Sequence, residues 1–343
     1  MVDLFGLLKM LVGTPSPTGG EGILADFLAR ELKSLSFDVR EQSVEGNRRN
    51  ILATDGGRPR VLFCTHMDTV PGEAAAREDE AEIHGRGACD AKGSMAAMID
   101  AASRLKAEAV RGVGLLFVVG EETDSLGARR ANDLDLGSEY IIVGEPTDNR
   151  LGLGHKGTVF VRLSALGKRA HSALPHLGES AVEKLLDVLE DIRAIHFGED
   201  PELGPTLFNI GQIEGGVAAN VIADEAAALL ALRPAVSVAD VLSRLAEAVS
   251  GRVELEIITA SEPQRLWTLP GVETAVFPFG TDIPYLAALG KPLLLGPGSA
   301  RFAHAADERV EKRQLTAAVA AYQSLARRLL KGEAVSGPAA SRS

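Results

Sequence analysis

The chain has 343 residues, 45% hydrophobic and 24% charged, which is ordinary for a soluble globular protein and long enough for two domains. Its net charge of −11 argues against nucleic acid or an anionic membrane surface as partner, because both reward basic patches. The two cysteines, Cys64 and Cys89, exclude a disulfide framework and a Cys-based zinc site; they fit a reducing cytoplasm, each as a small buried hydrophobe.

In chain order, MVDLFGLLKMLVG carries Asp3 and lacks a basic n-region, so it does not read as a signal peptide. An amphipathic helix follows at residues 21–35, EGILADFLARELKSL. RVLFCT (60–65), VGLLFVVG (113–120) and YIIVG (140–144) read as buried parallel strands, with a helix at 92–109 between the first two. That alternation predicts an α/β layered domain. From 155 to 262 the order becomes strand, helix, strand, strand, helix, strand. This is the split βαβ pattern (βαββαβ) of a ferredoxin-like α+β sandwich. The first domain resumes through FPFGTDIPYLAALGKPLLLGPG, with a strand at KPLLLG (291–296). The expected boundaries are therefore 1–154 and 263–331 for the α/β domain and 155–262 for the insert. Residues 332–343, GEAVSGPAASRS, are expected to form a small, polar, disordered tail. No apolar run approaches the ~20 residues that span a bilayer, and the expected location is cytoplasmic.

The chemistry-bearing residues sit where the strands end. RVLFCT runs into His66 and Asp68, VGLLFVVG into Glu121 and Glu122, and YIIVG into Glu145. His304 lies past KPLLLGPGSARFA, and Asp90 sits in the Gly-rich turn GRGACDAKG that feeds a helix. Ligands of open α/β sheets bind at the carboxyl ends of strands, so these positions should converge. A cleft holding Asp90, Glu121, Glu122 and Glu145 repels itself unless carboxylates stay protonated or metal binds. Two histidines at the same rim favour metal, because imidazole with carboxylate suits zinc, with cobalt or manganese as substitutes. The strand at 60–65 ends on His66 as a ligand, with the Asp68 carboxylate expected to accept the proton of its other ring nitrogen. GRGACDAKG lacks the Lys-Ser/Thr ending of a phosphate-binding loop, and no Gly-x-Ser-x-Gly elbow is present.

The ordered set THMDTVPG, GRGACDAKG, GEETDSLGAR, GEPT, AHS and GPGSARFAHAADE resembles the dinuclear zinc amidohydrolases and metallopeptidases. That family includes acetylornithine deacetylase, succinyl-diaminopimelate desuccinylase, aminoacylases and glutamate carboxypeptidase. The resemblance implies a zinc-peptidase-like catalytic domain with an inserted ferredoxin-like lid that mediates homodimerisation. It implies two Zn2+ per subunit: Asp90 bridging, His66 and Glu145 on one ion, Glu122 and His304 on the other. A non-proline cis peptide is implied after Asp90. Glu121 matches the general base and His171, in KRAHSALPH, the lid histidine that donates to the reacting carbonyl oxygen, often from the partner subunit. Asn220 and Arg233 match positions that hold the substrate carboxylate and the oxyanion, and the GPGS backbone around Gly298 is expected to serve the same carboxylate.

Among family branches, GEPT, GHKG and GPGS look most like acetylornithine deacetylase. ALRP lacks the acidic residue that branch places before the arginine, and the segment between TVPG and GRG is short. The reading is an N-acyl-L-amino-acid deacetylase of amino-acid (arginine) biosynthesis, acting on a small N-acylated substrate. A desuccinylase and a metallo-dipeptidase or carboxypeptidase are alternatives within the class. An inactive metal-binding assembly module is the alternative outside it, disfavoured because neither the base nor any ligand is missing. His155 reads as structural, and His176 is unassigned.

Overall fold

A computed structural model describes residues 2–72 and 75–337. The chain divides into two compact units, one of Met1–Leu153, Arg265–Ala275 and Thr281–Ser343, the other of Gly154–Gln264 and Val276–Gly280. The second unit thus gains a short return segment, 276–280, that the sequence reading left with the first.

The first unit is built on a six-stranded sheet in the order 38–45, 48–54, 113–118, 61–66, 140–143, 291–294. Val61–His66 is central and parallel to both neighbours, and Lys291–Leu294 is parallel to Tyr140–Val143. Every residue of Val61–His66 and Val113–Val118 is buried, which is why both read as continuous apolar runs rather than alternating ones. The antiparallel hairpin Asp38–Glu45 and Arg48–Thr54 closes one edge. Its outer strand, DVREQSVE, has no fully buried residue and so offers no hydrophobic pattern to read.

Helix Lys92–Ala107 buries twelve of its sixteen residues, among them Met95, Met98, Ile99 and Leu105. It packs with Lys312–Leu330, whose Tyr322 ring lies 5.4 Å from Phe63 and whose hydroxyl donates to the Leu295 carbonyl at 2.7 Å. The N-terminal helix Leu4–Val12 is capped by Asp3, whose carboxylate accepts the Gly6 N–H at 3.0 Å.

The expected disordered tail is corrected over residues 332–337. The N–H groups of Thr268 and Ser336 each donate to the other's carbonyl, at 3.0 and 2.9 Å. A Cβ on Gly337 would lie 2.9 Å from the Trp267 ring, so this end of the chain is laid against that ring. Residues 338–343 lie outside the described residues.

The second unit is a four-stranded antiparallel sheet ordered 207–215, 225–233, 158–166, 254–261. In chain order this is 2-3-1-4, the ferredoxin-like arrangement. Helices Ala181–Arg193 and Val238–Val249 start on serine caps: Ser180 accepts the Glu183 N–H and Ser237 the Asp240 N–H. Both bury one apolar stripe, Leu185, Val188, Leu189 and Ile192 on the first and Val241, Leu245 and Val249 on the second. That stripe packs into a core with Val159, Val161, Leu163, Leu230 and Leu232. Among the described residues no helix is long and apolar enough to cross a membrane.

Candidate active site

The ends of the parallel strands bring His66, Asp90, Glu122, Glu145 and His304 together. Their ligand atoms form two groups, His66–Asp90–Glu145 and Asp90–Glu122–His304, each within 4.8 Å. Asp90 belongs to both. Its Oδ1 lies 3.0 Å from His66 Nε2 and its Oδ2 3.3 Å from His304 Nε2. Glu145 Oε2 is 3.9 Å from His66 Nε2, and Glu122 Oε2 is 3.0 Å from His304 Nε2. Asp90 stands just before the helix that starts at Lys92, whose N-terminal dipole favours its charge. The peptide bond after it is cis. His304 lies in the left-handed region at φ 60, a cost of ~1–3 kcal/mol of the kind kept at functional sites.

His66 Nδ1 faces the main-chain carbonyl of Asp68 at 2.9 Å. A carbonyl only accepts, so Nδ1 carries the ring proton and Nε2 presents its lone pair towards Asp90. The expected contact with the Asp68 carboxylate is corrected, because Oδ1 is 3.6 Å from Nδ1. That carboxylate is committed elsewhere. Oδ1 accepts the N–H groups of Gly120 and Glu121 at 2.9 and 3.1 Å; Oδ2 accepts Glu122 N–H at 3.1 Å and Thr18 Oγ1 at 2.7 Å. Asp68 therefore clamps the turn that carries Glu121 and Glu122. Gly120 makes the turn possible at φ 84, a backbone conformation that residues with a Cβ rarely adopt.

Glu121 belongs to neither ligand group. Burial, with Glu145, Asp282 and Glu122 nearby, pushes its carboxyl well above the ordinary range against the pull of His66. Burial likewise raises Glu145. For Asp68 burial opposes ionisation, but His66, Thr18 and the Glu122 N–H prevail and hold it low. Hydrogen bonds to Asp90 and Glu122 push His304 up to about 10. An imidazole drawn to its cationic form beside two carboxylates marks a place that attracts positive charge.

Gly298 does not offer the free donor expected of it. At φ 86 its N–H already donates to Gln314 Oε1 at 2.5 Å, and the Gly296 N–H goes to Thr147 Oγ1. His171 and Asn220 come together within the second unit, where Ala170–His171 pairs with Val221–Ile222 and the Ser172 N–H donates to the Asn220 carbonyl. His171 Nδ1 accepts the Ala173 N–H at 3.1 Å, which places the ring proton on Nε2. Arg233 lies apart from them, donating to Thr158 Oγ1 at 2.7 Å and standing over the Phe160 ring. His155 is fully buried with Nδ1 2.8 Å from the Lys156 carbonyl, consistent with a structural role. Cys64 and Cys89 are buried as expected.

Asp282, in the stretch FGTDIPYL, escaped the sequence reading because one carboxylate in a loop carries no pattern. It is buried, and neither of its oxygens has a hydrogen-bond partner among the described residues. Burial pushes it up to about 7, with the charges of His66 and Arg129 drawing it down. The folded value lies above the unfolded one, so holding this group costs stability as pH rises from ~4 to ~7. Asp282→Asn is therefore expected to stabilise the metal-free protein by on the order of 1–4 kcal/mol at pH 8 and hardly at all at pH 4. Urea midpoints of both proteins at the two pH values check this, and equal gains at both would refute it.

Residues 62–328 match Peptidase family M20/M25/M40. The chain belongs to that family. It is a hydrolase of the metallopeptidase type. A peptidase M20 domain-containing protein of Schizosaccharomyces pombe is 39% identical over 336 residues, covering 94% of this chain and 84% of that protein. A probable carboxypeptidase of Aspergillus terreus is 37% identical, with 92% and 84% covered. Among solved structures, a tripeptidase from Staphylococcus aureus superposes with a TM-score of 0.78 at 21% identity over 94% of this chain and 98% of its own. The M20 metallo-carboxypeptidase of Sulfolobus solfataricus gives 0.77 at 17%, with 95% and 99% covered. At these identities the two structures show that the chain shares their fold. The curated relatives carry peptidase and carboxypeptidase names, so the family does not single out the acetylornithine branch.

Proposed function

We propose that this chain is a dinuclear metal-dependent amidohydrolase that releases a C-terminal L-amino acid from a short peptide or an N-acyl amino acid. The observation that supports it most is Asp90, which turns one carboxylate oxygen to each of two ligand groups. Two imidazoles and three carboxylates suit zinc, with cobalt or manganese as substitutes. Two divalent cations held there would acidify water and polarise the scissile carbonyl. Glu121, outside both groups, takes the proton of the attacking water and returns it to the departing amine. His171, its ring proton fixed on Nε2, is the donor to the carbonyl oxygen as it becomes an oxyanion. Arg233 is the proposed holder of the substrate carboxylate, and Asn220, beside His171, is a proposed second group for the oxyanion. The carboxypeptidase names of the relatives favour a peptide substrate. The stretches GEPT, GHKG and GPGS favour an acetylated amino acid such as N-acetylornithine as the second reading.

The test is a panel of N-blocked dipeptides, free dipeptides and N-acetylornithine, each with a free or an amidated C-terminus, offered to metal-loaded protein. Release of the C-terminal amino acid from free-carboxylate peptides, abolished by amidation, is the expected result. Equal cleavage of amidated peptides would sink the carboxylate anchor, and cleavage of N-acetylornithine alone would select the second reading.

The second unit is proposed to pair two copies of the chain, as symmetric dimers are the commonest oligomers. Leu166, Leu207, Ile213, Ile257 and Ile258 on it are 43–69% exposed, which suits a covered surface. His171→Ala is expected to lower kcat by ~10²–10³-fold while metal content stays unchanged. If each copy borrows His171 from its partner, mixing this variant with a Glu121 variant restores activity. Mixed dimers that form yet stay inactive would place His171 within its own chain.

A further inference from the structure

Asp90 can serve two ligand groups only if its main chain is held in one place, and its own helix supplies little of that hold. The N-cap residue, Ala91, makes no side-chain cap hydrogen bond among the described residues. The side chain that grips the Asp90 backbone is Glu308, from HAADE. Its Oε1 accepts the N–H groups of Cys89 at 3.1 Å and Asp90 at 3.0 Å, and its Oε2 accepts Arg86 Nη1 at 2.6 Å. The Glu308 side chain is 2% exposed and that of Arg86 12%.

Glu308 is itself fixed from both sides. The Gly85 N–H donates to its carbonyl at 2.9 Å, and the residues after it, Arg309–Glu311, pair antiparallel with Glu82–His84. One carboxylate thus ties the loop that carries His304 to the loop that carries Asp90. The arrangement repeats what Asp68 does for the turn of Glu121 and Glu122: a buried carboxylate organises a ligand through backbone N–H groups without being a ligand. A carboxylate is the right group, because it accepts from two N–H groups and a guanidinium at once.

We propose that Glu308 is a positioning residue whose carboxylate, braced by Arg86, sets the affinity of both ligand groups for metal through the residue they share. A buried ion pair serving only the fold would hold the protein together without touching metal affinity. The two roles separate in one experiment. Glu308→Gln keeps the shape, but its amide cannot accept from Arg86 and from both N–H groups. Metal-free wild type and variant are titrated with Co2+ and with Zn2+ against a competing chelator, and their unfolding midpoints are measured without metal.

The expected result is a ~10–100-fold loss of affinity for both ions, the range for removing an outer-shell partner, at a temperature where the metal-free variant remains folded. Turnover at saturating metal should return to within a few-fold of wild type. Unchanged affinities, or a loss confined to one ion, would overturn the proposal. Should Glu308→Gln not fold, Glu308→Asp, which keeps the charge but withdraws the oxygens, is read in the same way. The inference rests on Asp90 as the shared ligand. Wild type that fails to bind two ions would remove that reading, whereas two ions in wild type and undiminished affinity in the variant would remove only the role of Glu308.

Discussion

Asp90→Ala is expected to fold, to bind neither metal ion and to have no measurable amidase activity. Asp90 is the only described residue common to both ligand groups, so its loss leaves His66 with Glu145 and His304 with Glu122. Two protein ligands fall short of the three that a catalytic zinc ordinarily keeps. Removing the carboxylate takes one negative charge from beside Glu145, which burial already pushes towards its neutral form, and leaves His66 facing Glu145 and His304 facing Glu122, so the chain is expected to fold. Metal analysis of the purified variant decides the matter. Two bound ions would rule out the shared ligand, and one retained ion would show that the groups are independent.

Glu121→Gln separates an enzyme from a metal-binding module. The substitution keeps size and removes only the ability to take a proton, and Glu121 stands outside both ligand groups. Both ions should therefore remain, while kcat falls by ~10²–10⁴-fold with KM nearly unchanged. The backbone of the turn should be undisturbed, because the Asp68 clamp holds the Glu121 main chain rather than its side chain. A variant with full metal content and near-full turnover would end the proton-transfer role.

Sequence alone reached the fold where burial leaves a pattern. The parallel strands Val61–His66, Val113–Val118 and Tyr140–Val143 are buried throughout and read as apolar runs. The ferredoxin-like unit announced itself through alternating strands and the apolar stripes of its two helices. The exposed strand Asp38–Glu45 left no such trace, and neither did the order of residues 332–337, where backbone pairing with Thr268 does the work in a small, polar segment.

The convergence of His66, Glu122 and Glu145 was legible because each lies at the end of a parallel strand or just past it and strand ends converge in an open sheet, while Asp90 and His304 stood out beside Gly-rich stretches. What stayed hidden is the layer behind it. Whether His66 Nδ1 meets the carboxylate or the carbonyl of Asp68 is a matter of side-chain rotation, invisible in the letters HMD. The grip of Glu308 on Asp90 joins loops distant in sequence, and the commitment of the Gly298 N–H depends on a glutamine of the C-terminal helix. Such contacts follow from the packed fold and have no local signature.

The end of the chain also provides an optical reporter. Trp267 is the chain's one tryptophan. Its ring meets the backbone at Gly337 on one side and the Lys291 ammonium at 4.5 Å on another, while Thr268 next to it exchanges hydrogen bonds with Ser336. A peeling of residues 332–337 from the sheet unit exposes the indole to water before any core strand parts. Red-shifted fluorescence that precedes the loss of circular dichroism would time the fraying of this terminus separately from global unfolding, with no label added.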